Sequence, residues 1–142
     1  NTRSRGLGDV YKRQIPAQIL GCLLGVMLAN VFFEHSIIEL STKNRDGFHI
    51  FLSEIVATFG LIFIIFATLK DGKTTVAACV ATYISAGYWF TSSTSFANPA
   101  VAIARTFTDS FTGINYLNTP TYIFAELLGA IVAIYIIKRL IK

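Results

Sequence analysis

Charge is what this chain has little of. Only 14% of its 142 residues are Asp, Glu, Lys or Arg, against 54% hydrophobic and a mean hydropathy of +0.59, where a soluble domain carries about 25% charged residues. A soluble fold would lack its polar coat, so water is excluded as the main solvent. Cysteine is scarce too: Cys22 and Cys79 each sit inside an apolar run, where a thiol behaves as a small hydrophobe and neither disulfide nor metal spacing is offered. His35 and His49 flank one polar loop with no evident partner. With no nucleophile beside a base and no metal cluster, the sequence argues against an enzyme and implies no cofactor. The net charge of +4 points to an acidic partner only until its positions are read. Arg3, Arg5, Lys12, Arg13 and Asp9 fall in the first fourteen residues, and setting them aside leaves eight bases against seven acids. No nucleic-acid partner is expected from that balance.

Residues 1–14 are expected not to be native. Ser4 to Gln14, Ser-Arg-Gly-Leu-Gly-Asp-Val-Tyr-Lys-Arg-Gln, reads as the translation of a transposon-end adapter used in preparing DNA libraries, and such scars are set aside before fold reasoning. The competing reading is a basic tail lying on anionic lipid. The native part then runs over 15–142, beginning inside a gene.

A membrane-spanning helix needs about 20 largely apolar residues. Four stretches qualify: 15–33, 50–69, 75–90 and 122–141. Lys70-Asp-Gly-Lys73 reads as a tight turn, and 34–49 as a longer polar connection. Lys70, Lys73, Lys138, Arg139 and Lys142 fall on one side of the membrane, and Lys43, Arg45 and Arg105 on the other. The positive-inside rule therefore places the C-terminus in the cytoplasm. Ala17-Gln18-Ile19-Leu20-Gly21 in the first span matches Ala125-Glu126-Leu127-Leu128-Gly129 in the last. Two spans lie between them, so the matching helices cross in opposite directions, the pattern of an inverted repeat. Gly21 with Gly25, and Ala125 with Gly129 and Ala133, are small residues at four-residue spacing that permit close helix approach.

The region between the third and fourth spans fits neither class. Thr91-Ser-Ser-Thr-Ser95 leads to Phe96-Ala-Asn-Pro-Ala-Val-Ala-Ile-Ala104 and Arg105. Asn98 is a preferred N-cap and Pro99 suits the first helical position, so a helix is predicted over 98–107. About ten residues at 1.5 Å each reach ~15 Å, half the hydrocarbon thickness. The segment should dip in and stop at mid-depth, where irregular backbone survives only if buried or lining an aqueous cavity. A helix N-terminus there carries about half a positive charge and opposes cations and protons. The Asn98 side chain, with its oxygen on the helix, has its NH₂ to offer a passing solute. An ordinary loop with an Asn-Pro turn is the simpler reading, and the apolar run after the turn weighs against it.

Asn98-Pro99-Ala100, Ser53-Glu54-Ile-Val-Ala-Thr58 opening the second span, Ala17-Gln18 opening the first and Ala125-Glu126-Leu-Leu-Gly129 in the last together resemble the aquaporin, or major intrinsic protein, family, in the right order across 15–142. The resemblance implies an all-α integral membrane fold, a right-handed inverted-repeat bundle of six tilted helices and two half-helices meeting at the midplane. It is usually a homotetramer in the lipid bilayer with one pore per subunit. This chain would hold the third to sixth spans and the second half-helix. Glu54 is by resemblance the buried acid that accepts from the re-entrant loop's N–H groups and holds Asn98 in place, with Thr58 one turn on. Glu126 and Gln18 are read as either structural or snorkelling. At the family's selectivity constriction, Val101 stands where arginine is usual, Ser95 lies three residues before Asn98, and Ala86 stands where water-selective members have histidine and glycerol-conducting ones glycine. Arg105 is a possible pore residue, with an i+4 pair to Asp109 the commoner fate. Tyr83, Tyr88, Trp89 and Phe90 read as an interfacial belt.

The function expected from the resemblance is a passive channel for water or small neutral solutes such as glycerol, urea, ammonia or neutral metalloid hydroxides, in a bacterial inner membrane. Lack of the constriction arginine favours the larger solutes over strict water selectivity, and a Ser-Phe-Ala-Asn-Pro-Ala-Val stretch in some bacterial members accompanies arsenic resistance, which makes arsenite a candidate. A secondary transporter with inverted repeats, and an inactive membrane fragment, are the rival readings.

Overall fold

The structure, a computed structural model, describes residues 2–140. It is all-α: α1 (Thr2–Phe32), α2 (Phe48–Thr68), α3 (Lys73–Phe90), α4 (Pro99–Ala104) and α5 (Thr119–Leu140), with 3₁₀ turns at Leu69–Asp71 and Arg105–Phe107. Among the described residues, three stretches are long and apolar enough to cross a membrane, Lys12–Phe32, Phe48–Asp71 and Thr119–Leu140. The expected third span lies in α3, a continuous helix of 18 residues that is not among these three. Ile15 and Pro16 fall inside the continuous α1.

The described residues form two compact units. The first takes in Asn1–Lys43 and Ala100–Tyr116. Here the last turn of α1 organises a polar loop around the end of the half-helix. Asn30, 2% exposed, donates from Nδ2 to the Ile37 carbonyl at 3.2 Å and to the Phe107 carbonyl at 3.0 Å. The loop runs beside the 3₁₀ turn: the Ser41 N–H donates to Thr106 O at 3.0 Å, Ile114 N–H to Arg105 O at 3.1 Å and Asn115 N–H to Lys43 O at 2.9 Å. The carbonyl acceptors left orphaned at the end of the half-helix, those of Arg105, Thr106 and Phe107, are thus satisfied by chain already present.

The second unit takes in Asn44–Pro99 and Leu117–Lys142. Its core is the packing of α2 on α5, with α3 against the other flank of α2. Ala57, Ala125 and Ala133 are fully buried at the core of this unit. A Cβ added at Gly129 would stand 2.5 Å from the Ile55 carbonyl oxygen and 3.1 Å from Thr58 Cβ. Small residues thus let the two backbones meet, as they do generally between membrane helices, where no hydrophobic force drives association. Phe51 and Phe124 stack at 6.1 Å at one end of this seam. On the other flank Tyr83 reaches across to donate to the Ala57 carbonyl at 3.0 Å, and Gly60 leaves room for its ring. Gly72, at φ 94°, turns the chain from α2 into α3 with no Cβ to strain.

The two matching motifs differ in use. Ala125, Gly129 and Ala133 are the close-packed face of α5, whereas Gly21 and Gly25 of α1 have nothing within 4 Å of an added Cβ. Gly129→Ala should therefore force α2 and α5 apart and cost about 1–3 kcal/mol, while Gly21→Ala should change stability by no more than ~0.5 kcal/mol. Thermal unfolding in detergent micelles reads the difference, and equal midpoints for the two variants would refute this account of the seam.

Candidate functional site

Between α3 and α4 the chain leaves the helical region for eight residues, 91–98. Three of them take left-handed backbone conformations: Thr94 at φ 64°, Ser95 at 52° and Ala97 at 50°. A residue with a Cβ pays about 1–3 kcal/mol for such a conformation and persists in it only where the surroundings over-determine it. The surroundings do so here. Ser93, Ser95, Phe96 and Ala97 are all buried. The Thr91 hydroxyl closes the end of α3 on the Gly87 carbonyl at 2.5 Å, Ser92 N–H donates to Ser53 Oγ at 3.0 Å, and Ser95 N–H donates to Ser93 Oγ at 3.3 Å.

Two acids complete the restraint. The Ala97 N–H donates to Glu54 Oε1 of α2, and the next N–H along, that of Asn98, donates to Glu126 Oε1 of α5 at 3.1 Å. Both side chains are buried, Glu54 at 0% and Glu126 at 1% exposure. Burying a carboxyl in apolar surroundings costs several kcal/mol unless it is hydrogen-bonded. Binding successive amides of an irregular segment gives each acid a partner. In return, the segment gains acceptors for two N–H groups that no helix or strand provides. From α5, Tyr122 donates to the Ser93 carbonyl at 3.4 Å and lays its ring against Phe96 at 5.0 Å.

The result is a fixed launch point for the half-helix. Asn98 stands immediately before the first helical residue, Pro99, with Ala100 buried in the first turn. The six residues of α4 and three of the 3₁₀ turn span ~15 Å at the usual rises, half the apolar thickness of a bilayer.

The other residues singled out in the sequence fall as follows. Ser95 is 4% exposed and its Oγ makes no hydrogen bond; Gly87 makes room for it, since a Cβ there would lie 2.7 Å from that oxygen. Ala86 is exposed and lines a 530 Å³ groove between α2 and α3, with Phe63, Cys79 and Tyr83. Thr58 is buried at the α2–α5 seam, against Gly129. Val101 and Arg105 both line a 230 Å³ cavity of the first unit, with Cys22, Val26 and Ala29 of α1. The sequence pairs Arg105 with Asp109; in the structure Arg105 donates to Thr112 Oγ1. Asp109 instead accepts the Thr42 N–H at 2.8 Å and its hydroxyl at 3.1 Å, with Ser41 Oγ at 3.4 Å. The Thr42 amide, its hydroxyl and the nearby Lys43 hold the Asp109 carboxyl below its ordinary range.

Sequence reasoning weighed Glu126 as either a snorkelling or a structural residue and missed Asn30, Tyr122 and Arg45. The signal for Glu126 was present in its spacing, one residue after a close-packing alanine on the Ala125–Gly129–Ala133 face. Asn30 and Arg45 act on residues far along the chain and left no local pattern.

No family model and no solved structure matches the chain. Over 126 residues it is 44% identical to a curated protein, aquaglyceroporin AqpS of Rhizobium meliloti (strain 1021), in an alignment that covers 89% of this chain and 54% of that protein. The chain therefore spans about half the length of this relative.

Glu54→Gln keeps an acceptor for the Ala97 amide, whereas Glu54→Leu leaves that donor buried and unpaired. The leucine variant should be less stable than the glutamine variant by about 1–3 kcal/mol in thermal unfolding, and equal stabilities would show that the amide does not depend on the acid. For Asp109 a depressed folded value means that its stabilisation is fully present above the unfolded value and is lost as pH falls through the folded one. Protection of the Thr42 amide against hydrogen exchange should hold near neutrality and fall below about pH 4, and Asp109→Asn should remove that pH dependence.

Proposed function

Because the chain belongs to the aquaporin, or major intrinsic protein, family, we propose that it supplies one half-helix of a passive transmembrane channel for small neutral solutes. The observation that carries this reading is the pair of buried acids on successive amides. They hold a backbone too irregular for a loop in lipid and deliver Asn98 to the start of a helix too short to cross. Irregular backbone at membrane depth is tolerated only where it is enclosed or lines a water-filled path, and this arrangement meets that condition with polar atoms to spare.

The chemistry of passage follows from the helix start. The positive end of α4 opposes cations and protons, and the Asn98 amide donates to a passing hydroxyl or water oxygen, which interrupts a proton-conducting chain of waters. Ser95 offers a hydroxyl. Val101 and Ala86 are small and apolar at positions where the family narrows its pore, so the solute class is that of glycerol, urea, ammonia and neutral metalloid hydroxides, with water admitted alongside. Arg105 sits in the same cavity as Val101 and is a second donor for such a solute. The relative's description as an aquaglyceroporin supports this class. The working assembly is a homotetramer of the full-length protein in a bacterial inner membrane, with the C-terminus cytoplasmic.

Stopped-flow light scattering on proteoliposomes containing the full-length protein tests the reading. Glycerol flux should rise linearly with the gradient and need no ion, and saturable, ion-coupled flux would favour a secondary transporter. Val101→Arg should lower glycerol flux about tenfold, equivalent to ~1.4 kcal/mol of added barrier, while water flux falls less. Equal flux in both would remove Val101 from the constriction.

A further inference from the structure

Each of the two acids that hold the re-entrant segment uses only half of its carboxyl group. Glu54 Oε1 accepts the Ala97 N–H, and Glu126 Oε1 accepts the Asn98 N–H. Glu54 Oε2 and Glu126 Oε2 are buried and have no hydrogen-bond partner among the described residues. An ionised carboxylate is an acceptor with no donor of its own, and leaving it half-satisfied in an apolar interior is costly. Here two such groups stand in the same unit, one on each of the packed helices α2 and α5.

The backbone brings the two together. Ala97 has a left-handed φ of 50°, the conformation in which a residue's own N–H and the next one turn to the same side and form an anion-binding nest. The oxygens bonded to Ala97 and Asn98 therefore converge on one concavity. Behind them the helices are in close contact: a Cβ at Gly129, three residues after Glu126, would meet the carbonyl oxygen of Ile55, the residue after Glu54. The hydroxyl and guanidinium groups around the pair donate elsewhere. Tyr83 of α3 donates to the Ala57 carbonyl and Tyr122 of α5 to the Ser93 carbonyl. Arg45, in the connection that precedes α2, donates from Nη1 to Thr94 Oγ1 at 3.2 Å. The Thr58 hydroxyl, one turn on from Glu54, bonds to neither acid. One nest of two N–H groups matches one negative charge, and two like charges side by side at this depth do not both persist.

We infer that Glu54 and Glu126 form a proton-binding site, holding one proton between them so that Oε2–H of one donates to Oε2 of the other. The pair then carries a single negative charge, set in the nest, and both orphaned oxygens gain a partner in a short, charge-assisted bond. That bond ties α2 directly to α5 at the level of Asn98, which makes the proton a positioning element for the start of the half-helix. The site goes beyond the channel reading and stands whether or not a solute passes Asn98.

Infrared spectroscopy of the full-length protein in lipid bilayers at neutral pH tests it. Wild type should show the C=O band of a neutral, buried carboxyl group, shifted in heavy water. Glu54→Gln and Glu126→Gln should each lose that band, because the glutamine NH₂ takes the place of the shared proton as donor and leaves the remaining acid ionised. A wild-type spectrum with no neutral carboxyl band means two ionised acids and overturns the inference. A band that survives in either variant overturns it as well, since the proton then belongs to one acid alone or to another residue. Should neither variant fold, solid-state NMR of wild type, isotope-labelled at the glutamate carboxyls and the backbone amides, decides the matter. The two carboxyl carbons coupled to the Ala97 and Asn98 nitrogens should together report one proton, and two fully ionised shifts would refute the sharing.

Discussion

Two carboxyl groups grip two neighbouring backbone amides, and the rest of the site depends on that grip. Glu54 comes from α2 and Glu126 from α5; their targets, Ala97 and Asn98, are the last two residues before the half-helix. Neither acid is tolerable alone in apolar surroundings, and neither amide has a place in regular structure. Oε1 of each acid accepts one of these amides, which meets part of each desolvation cost, while Oε2 of both acids stays buried without a hydrogen-bond partner. The left-handed residues Thr94, Ser95 and Ala97 are held by the same contacts and steer the chain to Asn98.

That grip requires α2 and α5 to lie close. A carboxyl side chain has a short reach, and the seam formed by Ala57, Ala125, Gly129 and Ala133 brings the two backbones near enough for both acids to meet the same segment. The spacing of small residues on α5 and the position of Glu126 are therefore one design: the face that packs is the face that delivers the acid. Tyr122, one turn earlier on the same helix, extends it to Ser93 and Phe96.

Much of this was legible in the sequence. The apolar balance, the long apolar stretches, the Asn98-Pro99 helix start and the shortness of the run after it all follow from local rules of composition, capping and length. Glu54 was legible because an acid inside an apolar stretch demands a partner. What was not legible acts across the chain. Arg45 is 49 residues from Thr94 and Asn30 is 77 from Phe107, and nothing in their neighbours' identities announces either contact. Local rules also pair too readily: Arg105 and Asp109 have the right helical spacing, but the helix tightens to a 3₁₀ turn at Arg105 and ends at Phe107, so Asp109 meets the incoming Thr42 amide instead. Thr58 shares a face with Glu54, as its spacing requires, and packs at the seam against Gly129.

The most direct measurement of the central claim is a high-resolution structure of the full-length protein in a lipid bilayer. The account predicts the Ala97 and Asn98 amides on Glu54 and Glu126, the Arg45 guanidinium on Thr94, and ordered solute or water passing Ser95 and the Asn98 side chain. A segment 91–98 lying at the membrane surface, with both acids turned to other partners, would contradict it.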